Sequence, residues 1–208
     1  MIGIVEYGMG NLRSVEIGLR RAGAEAKLIC RPEELEQCAG VVLPGVGAFG
    51  QGMENLRRQG LVEPLRRWAA GDKPFLGICL GLQLLFEQSE ESENTPGLGA
   101  IAGRVVRFSS VDKVPHMGWN SVEHGPAAQT SPYAPALPHG EYFYFVHSYY
   151  VVPEDEAVVL GTTEYGTRFA SAIGRGLLVA TQFHPEKSGE VGLEFLKRFV
   201  AIAEGEKC

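Results

Sequence analysis

The sequence predicts an α/β fold, a single domain whose central, largely parallel (mixed) sheet is flanked by helices. Three observations carry this reading. In the first half, short β-like runs alternate with amphipathic stretches of helical period, the pattern of βαβ units with a sheet covered on both faces. After Gly97 the texture changes to β-like runs joined by turns, which extend or cap that sheet. Finally, 208 residues with 45% apolar and 21% charged side chains suffice for one sizeable hydrophobic core. With no internal repeat or linker, residues 1–208 read as one domain.

Taken in order, IGIVEY reads as a strand and is followed by a glycine turn at Gly8 and Gly10. From Asn11 to Ala22, Leu12, Val15, Leu19 and Ala22 recur at helical period and form one apolar face. AKLI and GVVLP read as two further strands, with the acidic, polar residues 33–37 between them. Residues 53–70 read as helical, with Leu56, Leu61, Leu65 and Trp68 inward. Gly60 and Pro64 can divide that run, and Gly71 ends it. PFLGI is a short buried strand leading into a glycine-rich turn and a helix over LGLQLLFEQ. GRVVRF, EYFYFVHSYYV, ASAIGRG and LLVATQF read as strands, and a last helix runs from about Gly189 to Ala203.

Bulk properties exclude several function classes. A net charge of −6 without a Lys/Arg block argues against nucleic acid or an anionic membrane surface as partner. No apolar run approaches the roughly 20 residues that span a bilayer. The N-terminal MIGIVEYGMGN lacks the basic region and the apolar length of a signal peptide. A cytoplasmic location is expected. Cys30, Cys38, Cys79 and Cys208 form no CxxC pair or zinc-like spacing, so neither a metal nor a disulfide framework is expected. Cys208 reads as an exposed, inert thiol.

The sharpest motif is Gly77-Ile78-Cys79-Leu80-Gly81, between a strand and a helix. In a strand–nucleophile–helix turn the nucleophile has a strained backbone and little room, and glycines two residues to either side relieve the clashes. The helix N-terminus favours a thiolate at Cys79, and the N–H of Leu80 becomes a natural donor to an oxyanion. Read alone, such a cysteine is equally a small buried hydrophobe in an ordinary βα turn. Partners shift the balance. At the end of LLVATQFHPEKS, residues two apart in extended chain share a face, so Glu186 can orient His184 toward the thiol. Active sites of parallel sheets gather at the strand carboxyl ends, which brings the two motifs to one rim.

Gly45-Val46-Gly47-Ala48-Phe49-Gly50 matches GxGxxG, but no acidic residue closes a second strand downstream, so dinucleotide binding is set aside. A second oxyanion donor from Gly45–Gly47 is preferred to a purely structural turn. Gln83, one helical turn after Cys79, can face the same pocket, although such a residue is more often solvated. His116 in HMGWN reads as structural or superficial, since no second ligand accompanies it. Trp119, after a glycine in that turn-rich segment, is read as either an exposed anchor or an ordinary core residue.

PGVGAFG, GICLGLQLLFE, YFVHSYY and QFHPEKSG, in this order and spacing, closely resemble the class I (triad) glutamine amidotransferases over essentially the whole chain. YGMGNLRSV and PHMGWN narrow the likeness to glutaminase subunits that feed ammonia to a cyclase in histidine biosynthesis, with Glu6 in place of the expected Asp as one departure. The resemblance implies an amidotransferase fold with Cys79 as nucleophile, His184 as acid/base and Glu186 as its orienter. It implies an oxyanion hole from Val46, Gly47 and Leu80, and substrate contacts from Gly45, Gln83, Glu91, Ser148 and Tyr149. It further implies a heterodimer with a (βα)8-barrel cyclase subunit, reached through Asn11, Trp119, Tyr144 and Lys187, and no cofactor. Nothing remains in the chain to bind an ammonia acceptor, which agrees with such a partner. Competing readings are an amidotransferase subunit serving another synthase, a Cys–His hydrolase, and a non-catalytic module.

Overall fold

A computed structural model describes residues 1–109, 111 and 113–205, so Cys208 lies outside the described residues. Strand β1 (Ile2–Val5) leads through α1 (Leu12–Arg21) to β2 (Ala26–Ile29), and the short α2 (Pro32–Leu35) leads to β3 (Gly40–Gly45). Helices α3 (Phe49–Arg58) and α4 (Val62–Ala70) precede β4 (Phe75–Cys79) and α5 (Leu80–Leu84). The second half is mostly strand: β5 (Gln88–Ser89), β6 (Gly103–Arg107), β7 (His116–His124), β8 (Glu141–His147) and β9 (Tyr149–Pro153). It continues with β10 (Val159–Glu164), β11 (Arg168–Arg175), β12 (Leu178–Thr181) and the closing α6 (Gly189–Ala203).

One sheet runs β2-β1-β3-β4-β12-β11-β10-β7-β8. From β2 to β12 the pairs are parallel, and from β12 to β8 they are antiparallel. The sheet is therefore mixed, and the later strands extend it. β1, β3, β4 and β12 are buried along their whole length, as parallel strands between helical layers must be. On one face, Ile4, Val42 and Leu76 pack with Val15 and Leu19 of α1 and Phe195 and Phe199 of α6. On the other, Val41, Leu43 and Phe75 pack with Leu56 of α3 and Leu65 and Trp68 of α4. Among the described residues no helix is long and apolar enough to cross a membrane.

Local chemistry sets the boundaries. Asn11 caps α1, its Oδ1 accepting the Ser14 N–H at 3.3 Å, and Arg20 and Arg21 close the last turn where the helix dipole favours cations. The helical run expected over 53–70 starts earlier, at Phe49, and divides at Gly60, whose φ of 69° leaves the helical region. Pro64 does not break it; it sits in the first turn of α4, where its missing N–H costs nothing.

Three expectations differ. LGLQLLFEQ is helical only over Leu80–Leu84. Residues 97–101 fold back and take the carbonyls a longer helix would use: Leu98 N–H donates to Leu84 O and Ala100 N–H to Leu85 O, both at 2.8 Å. EYFYFVHSYYV divides at Ser148 into β8 and β9, which pair with different neighbours. The HMGWN segment, read as turn-rich, is the start of β7, paired residue by residue with β8.

Candidate active site

Cys79 ends β4 and Leu80 begins α5, so the chain reverses at the thiol. Cys79 has φ 54° and ψ −105°, the single positive φ outside glycine among the described residues. Such a conformation costs on the order of 1–3 kcal/mol and persists only where its surroundings enforce it. Those surroundings are visible. A β-carbon on Gly77 would lie 2.9 Å from Ala180 Cβ of β12 and 3.0 Å from the Gly81 backbone. A β-carbon on Gly81 would overlap the Leu43 carbonyl of β3. The two glycines are thus fixed by the neighbouring strands. α5 is a single turn, shorter than expected, yet it still leaves the Leu80 N–H at a helix start.

β12 runs parallel to β4 with Thr181 opposite Ile78, so three further residues bring His184 to the same rim as Cys79. His184 Nδ1 and Glu186 Oε1 lie 2.8 Å apart, and both side chains are 2% exposed. Their pairing does not come from extended chain, as expected from the sequence. Pro185–Lys187 form a 3-10 turn that curls Glu186 back under the imidazole, because Ser188 Oγ and the Lys187 N–H both donate to His184 O, at 2.7 and 3.0 Å. His184 Nε2 is buried and makes no hydrogen bond of regular geometry. Burial opposes charge on this ring, but the Cys79 sulfur and then the Glu186 carboxylate outweigh it, and the pKa is pushed up to about 10.

A cleft of about 530 Å³ opens in front of the thiol. Val46 and Gly47 form one wall, Leu80 and Gln83 come from α5, Glu91 follows β5, and Ser148 and Tyr149 come from the β8–β9 break. Gly47 has φ 106°, which suits only glycine. Gln83 is buried, its Nε2 donating to Tyr149 O at 3.1 Å and to Gln182 Oε1 at 3.2 Å. Glu91 Oε2 accepts the Phe49 N–H at 2.7 Å, which places its carboxylate at the start of α3. Gly45 is not on the wall. It is buried opposite Cys79 at the end of β3, where a β-carbon would meet the Tyr7 hydroxyl and Leu80.

Three participants were not singled out from the sequence. Gln182 Nε2 donates to Cys79 Sγ at 3.6 Å, Val146 O lies 3.9 Å from the same sulfur, and His147 lines the cleft. Gln182 stands inside the QFHPE motif, two residues before His184, and that spacing was the available signal. The fully buried Tyr7 donates to Pro44 O at 2.8 Å, and burial, then Cys79, raises its pKa well above the usual phenol value.

Three of the four residues expected at a partner surface, Trp119, Tyr144 and Lys187, lie together. Trp119 and Tyr144 face each other across β7 and β8 with ring centroids 6.2 Å apart, and Lys187 Nζ lies 5.9 Å over Tyr144. Trp119 is 55% exposed, not a core residue, and Met117 and Tyr142 are exposed on the same hairpin face. Asn11 is exposed at the start of α1. His116 is structural, as expected: its ring stacks against Phe145 and Tyr165 at 4.8 and 4.1 Å.

The sequence model of the family described as glutamine amidotransferase class-I matches residues 4–203. Over 206 residues the chain is 51% identical to an imidazole glycerol phosphate synthase subunit HisH of Syntrophotalea carbinolica, covering 96% of this chain and 98% of that one. A protein of the same name from Geobacillus kaustophilus is 50% identical over 212 residues, covering 99% and 98%. Among solved structures, that of PurLQS from Thermotoga maritima matches with a TM-score of 0.76 over 99% of this chain and 98% of that one, at 20% identity, a likeness of fold.

Proposed function

The chain belongs to the class-I glutamine amidotransferases, and on that premise we propose that it hydrolyses glutamine to glutamate and ammonia as the glutaminase subunit of an imidazole glycerol phosphate synthase. One observation carries the chemistry: a strained Cys79 at a strand–helix elbow, with a buried His184–Glu186 pair at the end of the adjacent parallel strand.

Cys79 thiolate attacks the side-chain carboxamide carbon of glutamine, forming a tetrahedral oxyanion. Leu80 N–H donates to that oxygen, and a peptide N–H of Val46–Gly47 donates when it turns into the cleft. Imidazolium His184, held by Glu186, gives its proton to the departing nitrogen; ammonia leaves and a γ-glutamyl thioester remains. Neutral His184 then takes a proton from water, whose oxygen attacks the thioester, and glutamate departs as the Cys79–acyl bond breaks. The raised His184 pKa supports the first half, since the ring begins protonated. Gln83, Glu91, Ser148 and Tyr149 hold the substrate's polar groups. Gly47, free to reverse its peptide, makes the second oxyanion donor switchable, so full activity is expected only with partner and ligand bound.

Ammonia free in water would be protonated and lost, so the product passes directly to a cyclase subunit. That partner is a (βα)8 barrel in a cytoplasmic heterodimer, docked on Asn11, Trp119, Tyr144 and Lys187. It uses ammonia on a phosphoribulosyl-formimino carboxamide ribotide to give imidazole glycerol phosphate and an aminoimidazole carboxamide ribotide in histidine biosynthesis. The relatives' names, each a synthase subunit, support the assembly.

An electrophilic glutamine analogue tests the chemistry. The expected result is one adduct per chain, on the Cys79 peptide by mass spectrometry, suppressed by glutamine. Labelling of Cys30 or Cys38 instead, or none at Cys79 in the presence of the barrel subunit, would contradict the proposal.

A further inference from the structure

At the cleft wall His147 is joined ring to ring with a second buried histidine, His116, and their hydrogen bonds allow one arrangement of protons. His147 Nδ1 lies 2.8 Å from Tyr149 O. A carbonyl only accepts, so that nitrogen carries the hydrogen. Burial holds both rings neutral, with pKa pushed down to about 3 for His147 and about 4 for His116. His147 Nε2 is then a bare acceptor, and His116 Nδ1, 2.9 Å away, must donate to it. His116 Nε2 in turn is bare and receives Asn120 Nδ2 at 3.3 Å. The same Asn120 amide donates to Glu164 O at 2.9 Å, and its Oδ1 accepts the Ser121 N–H at 2.8 Å, so its orientation is fixed as well.

The chain of donors therefore points one way, from Asn120 through His116 and His147 to the Tyr149 carbonyl. That carbonyl is also where Gln83 Nε2 bonds, at 3.1 Å. The segment held there, Val146 to Tyr149, crosses the break between β8 and β9, where Ser148 has no residue opposite it in either ladder and its carbonyl accepts the Phe108 N–H at 3.1 Å. Its two ends face the reaction: Val146 O lies beside the Cys79 sulfur, and Ser148 and Tyr149 line the cleft. At the other end Asn120 follows Trp119 directly on β7.

We propose that His147, backed by His116, is a positioning residue that holds the 146–149 segment in the shape that receives glutamine. The pair acts through the backbone and exchanges no proton with the substrate. This inference rests on the glutaminase reading and adds to it a specific dependence of substrate affinity on a neutral imidazole pair.

The test compares His147→Phe, His147→Asn and His116→Gln with the wild type, each assayed with the barrel subunit. Phenylalanine keeps the ring and loses both hydrogen bonds; asparagine restores a donor where Nδ1 stood. His147→Phe is expected to raise KM for glutamine about tenfold, the loss of roughly one hydrogen bond to a buried carbonyl, with kcat reduced less. His147→Asn should recover most of that loss, and His116→Gln should raise KM by a smaller factor. The rate of Cys79 alkylation by iodoacetamide should stay within about twofold in all three, which a collapsed site would not allow. An unchanged KM in His147→Phe, or a loss in kcat and alkylation not recovered by His147→Asn, would overturn the proposal. If His147→Phe fails to fold, His147→Asn and His116→Gln decide the matter on the same readouts. A wild type that releases no glutamate would overturn the glutaminase reading itself, and the positioning role with it.

Discussion

At Gly81 the neighbouring strand comes so close that a methyl group would overlap the Leu43 carbonyl. Gly81→Ala is accordingly expected to lower stability by about 2–4 kcal/mol in denaturant unfolding. Gly23→Ala is the control: its φ of 96° is unfavourable for alanine, but nothing lies within 4 Å, so only the backbone term of about 1–2 kcal/mol should appear. Glu186→Gln keeps the shape of the dyad and removes the charge facing His184 Nδ1. Its kcat should fall by about 100-fold or more with little change in KM, since orientation and imidazolium stabilisation act in the transition state. The same ring makes stability depend on pH. Folding raises its pKa from 6.5 to about 10, so its stabilising contribution is complete below about pH 6.5 and is lost as pH rises through about 10. Denaturant midpoints at pH 7 and pH 10 should converge between wild type and His184→Asn if this is right, and stay parallel if it is not. His116 and His147 act on the acid side, where their lowered pKa values remove stability as pH falls below 6.5 towards 4 and 3.

At the scale of elements, the parallel register of β4 and β12 is what assembles the site, and much of it was legible in advance. Strands buried on both faces announce themselves as continuous apolar runs, and α1 by its stripe of Leu12, Val15 and Leu19. What escaped the sequence depends on partners distant in the chain. The helix after Cys79 stops at Leu84 because residues 97–101 capture its carbonyls, and no local propensity encodes that. HMGWN looks like a turn and becomes a strand because β8 offers it a register of cross-strand pairs. Glu186 was correctly matched to His184 by spacing, yet by a 3-10 turn rather than an extended chain. Helix α3 ends because Gly60 leaves the helical region, so Gly60→Ala should cost about 1 kcal/mol. Pro64→Ala should stay within about 1 kcal/mol of wild type by the same unfolding measurement. On β7, Trp119→Ala should leave the unfolding midpoint unchanged and weaken binding of the barrel subunit about 30-fold or more, as an exposed aromatic anchor does. Equal affinity in a calorimetric titration would remove Trp119 from the interface.

For the whole molecule, the sheet serves two ends of one task. Its parallel half carries the nucleophile and its histidine, and its antiparallel half carries the β7–β8 hairpin with the exposed Trp119, Met117 and Tyr142 and the half-buried Tyr144. The two meet at one short turn: Glu186 faces inward to His184, and the adjacent Lys187 lies over Tyr144. A glutaminase whose catalytic turn borders an uncovered aromatic face is built to work against a second subunit. The direct measurement is glutamate release by the purified chain, alone and with the barrel cyclase subunit and its nucleotide ligand. The expected result is slow release alone, strong activation in the complex, and none from Cys79→Ala in either state. Full activity without the partner would contradict the switchable oxyanion donor, and glutamate release by Cys79→Ala would contradict the thioester mechanism itself.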